Sequence, residues 1–166
     1  MNKKSKPTIY LAFIAFIFLI NSSCKKYPDG PLINLMSKEK RIERYWYMEY
    51  LEIGGIDSTA SFLAENDSGL KFDYMRIYGE REASYIKYSS DLRWAELSFE
   101  WSLINKNRNL KIGLTWVSRS YNLSEHIGPF WVNEKVEFRI MKLTKDELWL
   151  ETTYNNNLTK VHFRSN

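Results

Sequence analysis

The amino-acid sequence predicts an all-β domain, an antiparallel up-and-down meander of about eight strands placed behind an N-terminal signal helix. Three observations predict it. An apolar run from Ile9 to Ile20 follows a basic head, Asn2, Lys3, Lys4 and Lys6. Apolar and polar residues alternate with period two over Glu96 to Leu103 and over several later segments. Clusters of Gly or Asn separate those segments.

The apolar run is twelve residues long. A spanning helix needs about 20 apolar residues, whereas the core of an export signal needs roughly 7 to 15, so the length favours a signal peptide over residues 1–23. Asn21, Ser22 and Ser23 are small or polar and suit a peptidase site, and Cys24, the only cysteine, follows them. A lone cysteine outside the cytoplasm pairs between chains, stays free or is modified. Ile20-Asn21-Ser22-Ser23-Cys24 resembles the lipobox of bacterial lipoproteins, in which the cysteine thiol receives a diacylglycerol and becomes the mature N-terminus. The lipobox usually has Leu three residues before the cysteine; here that position is Asn21, with Ile20 one further out. The resemblance implies lipidation at Cys24 and the membrane as a partner through it. An ordinary signal cleaved nearby, with a free thiol, and a retained membrane anchor are the alternatives.

Three of the 24 basic side chains and none of the 20 acidic ones precede Cys24, which leaves 21 against 20 and a net charge of +1. With no clustered basic stripe, nucleic-acid binding is set aside. The 143 residues from Cys24 onward suit one domain with one core, and the six Trp, eleven Tyr and nine Phe counted over the whole chain supply ample area to fill it. One cysteine allows no internal disulfide, so the fold must rest on burial.

Residues 24–36 read as a tether, with the turn signal Pro28-Asp29-Gly30-Pro31 inside it. Lys25 and Lys26 add about 1 kcal/mol each at best against anionic headgroups. The domain then runs over 37–166. Ser37 to Arg44 is charged and opens on a Ser suited to an N-cap, which predicts a short helical turn. Tyr45 to Ile53 predicts a strand that ends at Gly54-Gly55, a pair free to take the positive φ of a tight turn. Leu70 to Tyr78 and Ala83 to Tyr88 predict two more around Gly79-Glu80-Arg81-Glu82. In Glu96 to Leu103 the residues Leu97, Phe99, Trp101 and Leu103 alternate with Glu96, Ser98, Glu100 and Ser102. A helical reading through Trp94, Leu97, Trp101 and Ile104 strands Phe99 and Leu103 off the stripe, so the strand is preferred. After Asn105 to Asn109, the residues Leu110, Ile112, Leu114 and Trp116 face one way and complete a hairpin. Val136, Phe138 and Ile140 turn through Thr144 to Glu147 into Leu148 and Leu150, and Asn155-Asn156-Asn157 leads to Val161 and Phe163. Such a meander closes into a barrel or folds as a sandwich, and closure removes exposed edges.

Several segments in this order, Cys24-Lys25-Lys26-Tyr27, the Tyr-Pro-Asp-Gly-Pro stretch, Ser37-Lys38 before Arg41-Ile42, the Trp46 strand ending at Gly54-Gly55-Ile56-Asp57, and Asp146-Glu147-Leu148-Trp149-Leu150, resemble the lipocalin-like lipoproteins of Gram-negative bacteria. The resemblance implies a lipocalin-like barrel anchored at the cell envelope. Lys25-Lys26-Tyr27 carries no acidic residue directly after Cys24, which favours the outer membrane, facing the periplasm or the cell surface.

For chemistry the inventory is thin. His126 and His162 are the only histidines and no H-x-x-x-H or C-x-x-C pattern exists, so they read as loop and edge-strand residues; neither metal nor cofactor is expected. A Ser-His-acid set could be written from Ser120 or Ser124, His126 and Glu125, but no G-x-S-x-G elbow exposes a serine, and an enzyme is not expected. Glu96 and Glu100 share a strand face about 14 Å apart, beyond the roughly 5 to 9.5 Å of a glycosidase pair. The long connection Ser118 to Asn133 carries Tyr121, His126, Ile127, Phe130 and Trp131. It is either a lid that touches a ligand or partner, or a plug in which Phe130 and Trp131 close the barrel end. Trp101 and Trp116 are expected to point inward. The candidate ligand-binding set is therefore Trp101, Trp116, Tyr121, His126, Phe130 and Trp131. An eight-stranded interior is filled by side chains or holds one small ligand. The expected partners are a small apolar ligand or an envelope protein, the alternative being a structural or assembly accessory with a filled barrel.

Overall fold

Ser37 caps the first helix, α1 (Lys38–Ile42), by accepting a hydrogen bond from the Lys40 N–H at 3.3 Å. The computed structural model describes residues 27–28, 36–64, 69–79, 84–91, 94–118, 126–127, 130–131 and 134–166, with backbone alone at 115–118, 126–127, 131 and 154. The tether, the signal segment and Cys24 otherwise lie outside the described residues. The short α1 is held by tertiary contacts. Ile42 is fully buried, and Arg41 reaches across to donate from Nη1 to the Leu143 carbonyl at 2.7 Å. The Trp46 indole N–H closes the junction on the Ile42 carbonyl at 2.8 Å.

The strands follow as β1 (Tyr45–Ile53), β2 (Ile56–Asp57), β3 (Lys71–Arg76), β4 (Ser84–Ser89), β5 (Trp94–Ile104), β6 (Asn109–Ser118), β7 (His126–Ile127), β8 (Phe130–Trp131), β9 (Lys135–Leu143), β10 (Glu147–Tyr154) and β11 (Asn157–Arg164). A second helix, α2 (Thr59–Leu63), sits between β2 and β3. The order β11-β10-β9-β6-β5-β4-β3-β1, with β11 pairing back onto β1, closes an eight-stranded antiparallel up-and-down barrel. Of the two architectures open to the meander, the barrel is therefore the one formed, each of its eight strands pairing with a neighbour on both sides. β2 is a short flap on β1, and β7 and β8 form a separate two-stranded ribbon.

The turns explain the register. Gly54 and Gly55 take φ of +60° and +84°, and the Gly54 N–H donates to the Leu158 carbonyl at 2.8 Å. Asn155 and Asn156 take φ of 47° and 63°, the two-residue turn whose twist matches a hairpin. Asn105, Lys106 and Asn107 are all left-handed, and the Tyr27 hydroxyl donates to the Asn107 carbonyl at 2.9 Å, tying that end of the barrel to the segment before the domain.

Bulges between Met48 and Tyr50 and between Phe72 and Tyr74 change the phase of β1 and β3, so that Trp46, Met48 and Leu51, and Phe72 and Met75, all face inward. A third bulge lies in β6, where Phe99 pairs with Leu114 and Ser98 with Trp116, so that one residue of β6 is extra. The edge-strand reading of His162 is corrected: it lies in β11, which pairs on both sides and is not an edge.

Candidate functional site

Among the candidate residues, the side chains of Phe130 and Trp101 are described. Phe130 is 1 % exposed and packs on Phe138 and Phe163 at ring distances of 5.8 and 6.5 Å. Phe130 is part of the buried core. Trp101 is half-buried against the core, and its indole N–H donates to the Tyr78 carbonyl at 2.8 Å. His126 and Trp131 pair in the β7–β8 register, as do Ile127 and Phe130. Tyr121 lies outside the described residues, as do Ser120, Ser124 and Glu125. Among the described residues no group of three His, Cys, Asp or Glu side chains could hold a metal.

The barrel interior carries a chain of rings. Phe62 of α2 meets Phe72 at 5.6 Å, Phe72 meets Phe163 at 6.5 Å, and Phe163 leads through Phe130 to Phe138. Tyr88 stands edge-on to Phe72 at 5.9 Å. Its hydroxyl is buried with no hydrogen-bond partner, and burial pushes its pKa well up. It is the one polar atom this aromatic chain leaves unsatisfied among the described residues. An unmade bond of this kind costs about 1 to 3 kcal/mol.

The outer wall is where polar and aromatic groups assemble, in two places. On β10, β11 and β1, Trp149, His162 and Tyr50 stand directly opposite one another, with Lys142 of β9 beyond Trp149. His162 stacks on Trp149 at 4.4 Å and meets Tyr50 at 5.0 Å, and the Lys142 ammonium lies 4.3 Å from the Trp149 ring. Desolvation is the main cause that holds the His162 pKa below its ordinary value. Next to it, Glu52 accepts from Lys160 Nζ and from the Tyr50 hydroxyl, each at 2.7 Å. Those bonds, Lys160 first, hold its carboxyl low.

On β1, β3 and β4, the outward residues are Tyr45 and Tyr47, Tyr74 and Arg76 with Tyr78 just beyond, and Tyr85 and Lys87. Tyr45 pairs with Arg76 and Arg76 with Tyr85. Tyr74 meets Tyr45 at 5.1 Å, Tyr47 at 5.9 Å and Tyr85 at 6.1 Å, and Tyr85 meets Tyr78 at 6.0 Å. Burial, followed by hydrogen bonding to Tyr74 and then coupling to Tyr78, pushes the Tyr85 hydroxyl up. The Arg76 guanidinium carbon lies 4.2 Å from the Tyr45 ring and 4.5 Å from the Tyr78 ring.

Sequence reasoning counted these tyrosines toward the core and did not single out Arg76. The signal was present: Tyr74, Arg76 and Tyr78 alternate with buried Met75 and Ile77. Two-sided amphipathicity of this kind marks a strand with an apolar inner face and an aromatic outer one. Comparison with protein-family models, with curated proteins and with solved structures finds no match to this chain.

Proposed function

We propose that this chain is an envelope lipoprotein, anchored in the outer membrane through lipidated Cys24, whose lipocalin-like barrel is a filled interaction module. Its working surface is the outer wall, and its partner is another envelope protein. The observation that carries the reading is the contrast between the two faces of the same strands. Inside, Phe62, Phe72, Phe163, Phe130 and Phe138 are in ring contact. Outside, Tyr45 is 39 % exposed at the margin of a connected tyrosine cluster. Tyr and Arg supply large amphipathic contact area at low entropic cost, which is why interfaces favour them. No catalytic step is part of the reading.

A second reading, a small apolar ligand with one polar atom inside the barrel, is favoured by the unpartnered hydroxyl of Tyr88. Native mass spectrometry of the chain purified from its own envelope separates the two. The first reading expects acyl mass on Cys24 and a domain that carries no small molecule. A stoichiometric small molecule that is lost in Tyr88→Phe would reverse the order of the two, and an unmodified Cys24 would remove the anchor.

A further inference from the structure

Arg76 is the cation on the tyrosine face that has no counterion among the described residues. Lys87, its neighbour on β4, is 3.7 Å from Asp73, and Arg164, beside Tyr47, contacts Glu49 at 2.6 Å. No described carboxylate pairs with Arg76, and its Nε is buried with no hydrogen-bond partner, which leaves the terminal Nη groups as the donors a partner would meet. Arg44 also has an unpartnered Nε, but its Nη2 meets Met36 Sδ at 3.8 Å.

A guanidinium held over aromatic rings gains cation–π attraction and loses rotamer freedom. It is then oriented before any partner arrives. Its planar donor set matches a carboxylate, which it can bind with two parallel hydrogen bonds. Tyrosine rings around it offer apolar area to the groups that flank such a carboxylate. With net charge of only +1 after Cys24, the chain has no broad positive field for a polyanion. A single carboxylate set among apolar side chains is therefore the better match.

We infer that Arg76, with Tyr45 and Tyr78, is a recognition site for an acidic side chain of a partner protein, one flanked by apolar or aromatic residues. The inference rests on the proposed outer-wall reading and names the chemistry of its partner.

The test uses the full chain in detergent micelles and two probe peptides, acetyl-Phe-Glu-Phe-amide and acetyl-Phe-Gln-Phe-amide, with the Arg76 Nε–H signal followed by nuclear magnetic resonance. The expected result is saturable displacement of that signal by the Glu peptide, with affinity about tenfold weaker for the Gln peptide or for Arg76→Gln, as befits a charge-assisted pair. Arg164→Gln, which removes an arginine already paired with Glu49, leaves the affinity unchanged. Equal affinity for the two peptides on the wild-type chain overturns the inference whether or not Arg76→Gln folds. So does displacement by inorganic phosphate or anionic phosphatidylglycerol vesicles at lower concentration than the Glu peptide. If a photo-crosslinker at Tyr47 captures the same envelope protein from wild-type and Arg76→Gln chains, the outer-wall reading stands and this inference fails.

Discussion

His162 and Trp149 stack across β11 and β10 with ring centroids 4.4 Å apart and planes 15° from parallel. The pair sits in a closed part of the barrel wall, flanked by Tyr50 and Lys142, so the imidazole is covered on more than one side. Desolvation disfavours its charged form, Lys160 opposes it too, and Glu52, Glu147 and Glu49 favour it less strongly than burial disfavours it. The folded pKa is therefore below the unfolded one of about 6.5. The unfolded chain takes up the proton first as pH falls, so this contribution to stability is fully present above about pH 6.5 and is lost as pH drops through the folded pKa. Urea midpoints measured from neutral to mildly acidic pH should fall for the wild type and fall less for His162→Phe. Parallel curves for the two would show that His162 is not the titrating group.

Tyr88→Phe removes a hydroxyl that is buried without a partner. Unlike most core substitutions, it should leave stability unchanged or raise it by about 1 kcal/mol, because a desolvation cost disappears and the ring stays. Equilibrium urea unfolding reads the difference. A loss of stability would mean that the hydroxyl has a partner, such as an internal water or a ligand.

Phe130→Ala should cost about 3 to 5 kcal/mol, since Phe130 is 1 % exposed and contacts both Phe138 and Phe163. Chemical denaturation checks it. A loss under 1 kcal/mol would mean that Phe130 does not anchor the core and would favour the lid reading.

Arg41→Leu tests how α1 is held against β9. The Arg41 guanidinium donates to the Leu143 carbonyl at 2.7 Å in a buried setting, and leucine would leave that carbonyl unsatisfied. A loss of about 1 to 3 kcal/mol is expected, with α1 the first element to lose amide-exchange protection. Unchanged protection over Lys38–Ile42 would show that α1 is held by Ile42 and Trp46 alone.

Much of this architecture was legible because a two-residue period is a direct record of an inside and an outside. Tyr45–Ile53 forms the strand that its pattern and its Gly-Gly stop predict, and Ser37 caps the helix that its position predicts. The strand Glu96 to Leu103 extends only slightly beyond its alternating core. What the sequence concealed are the features that interrupt a period or act at long range. The β6 bulge before Trp116 leaves no mark, since one added residue shifts the register without changing composition. The β11–β1 closure joins Tyr47 to Arg164 across most of the domain, and no local pattern records it. α2 is too short to show a helical period, yet it packs half-buried Phe62 against Phe72 and the core. The tyrosine face was hidden by composition itself: aromatics were counted as core material, whereas Tyr74, Tyr78 and Tyr85 lie on the wall opposite Met75, Ile77 and Ile86.

The account turns on which face of the barrel does the binding. Site-specific photo-crosslinking in the native envelope tests this directly, with p-benzoylphenylalanine placed at Tyr47 on the tyrosine face or at Arg139 on β9. The account predicts one discrete protein adduct from Tyr47 and none from Arg139. Matching adducts from both positions, or none from Tyr47 in a chain that carries a bound small molecule, would contradict it.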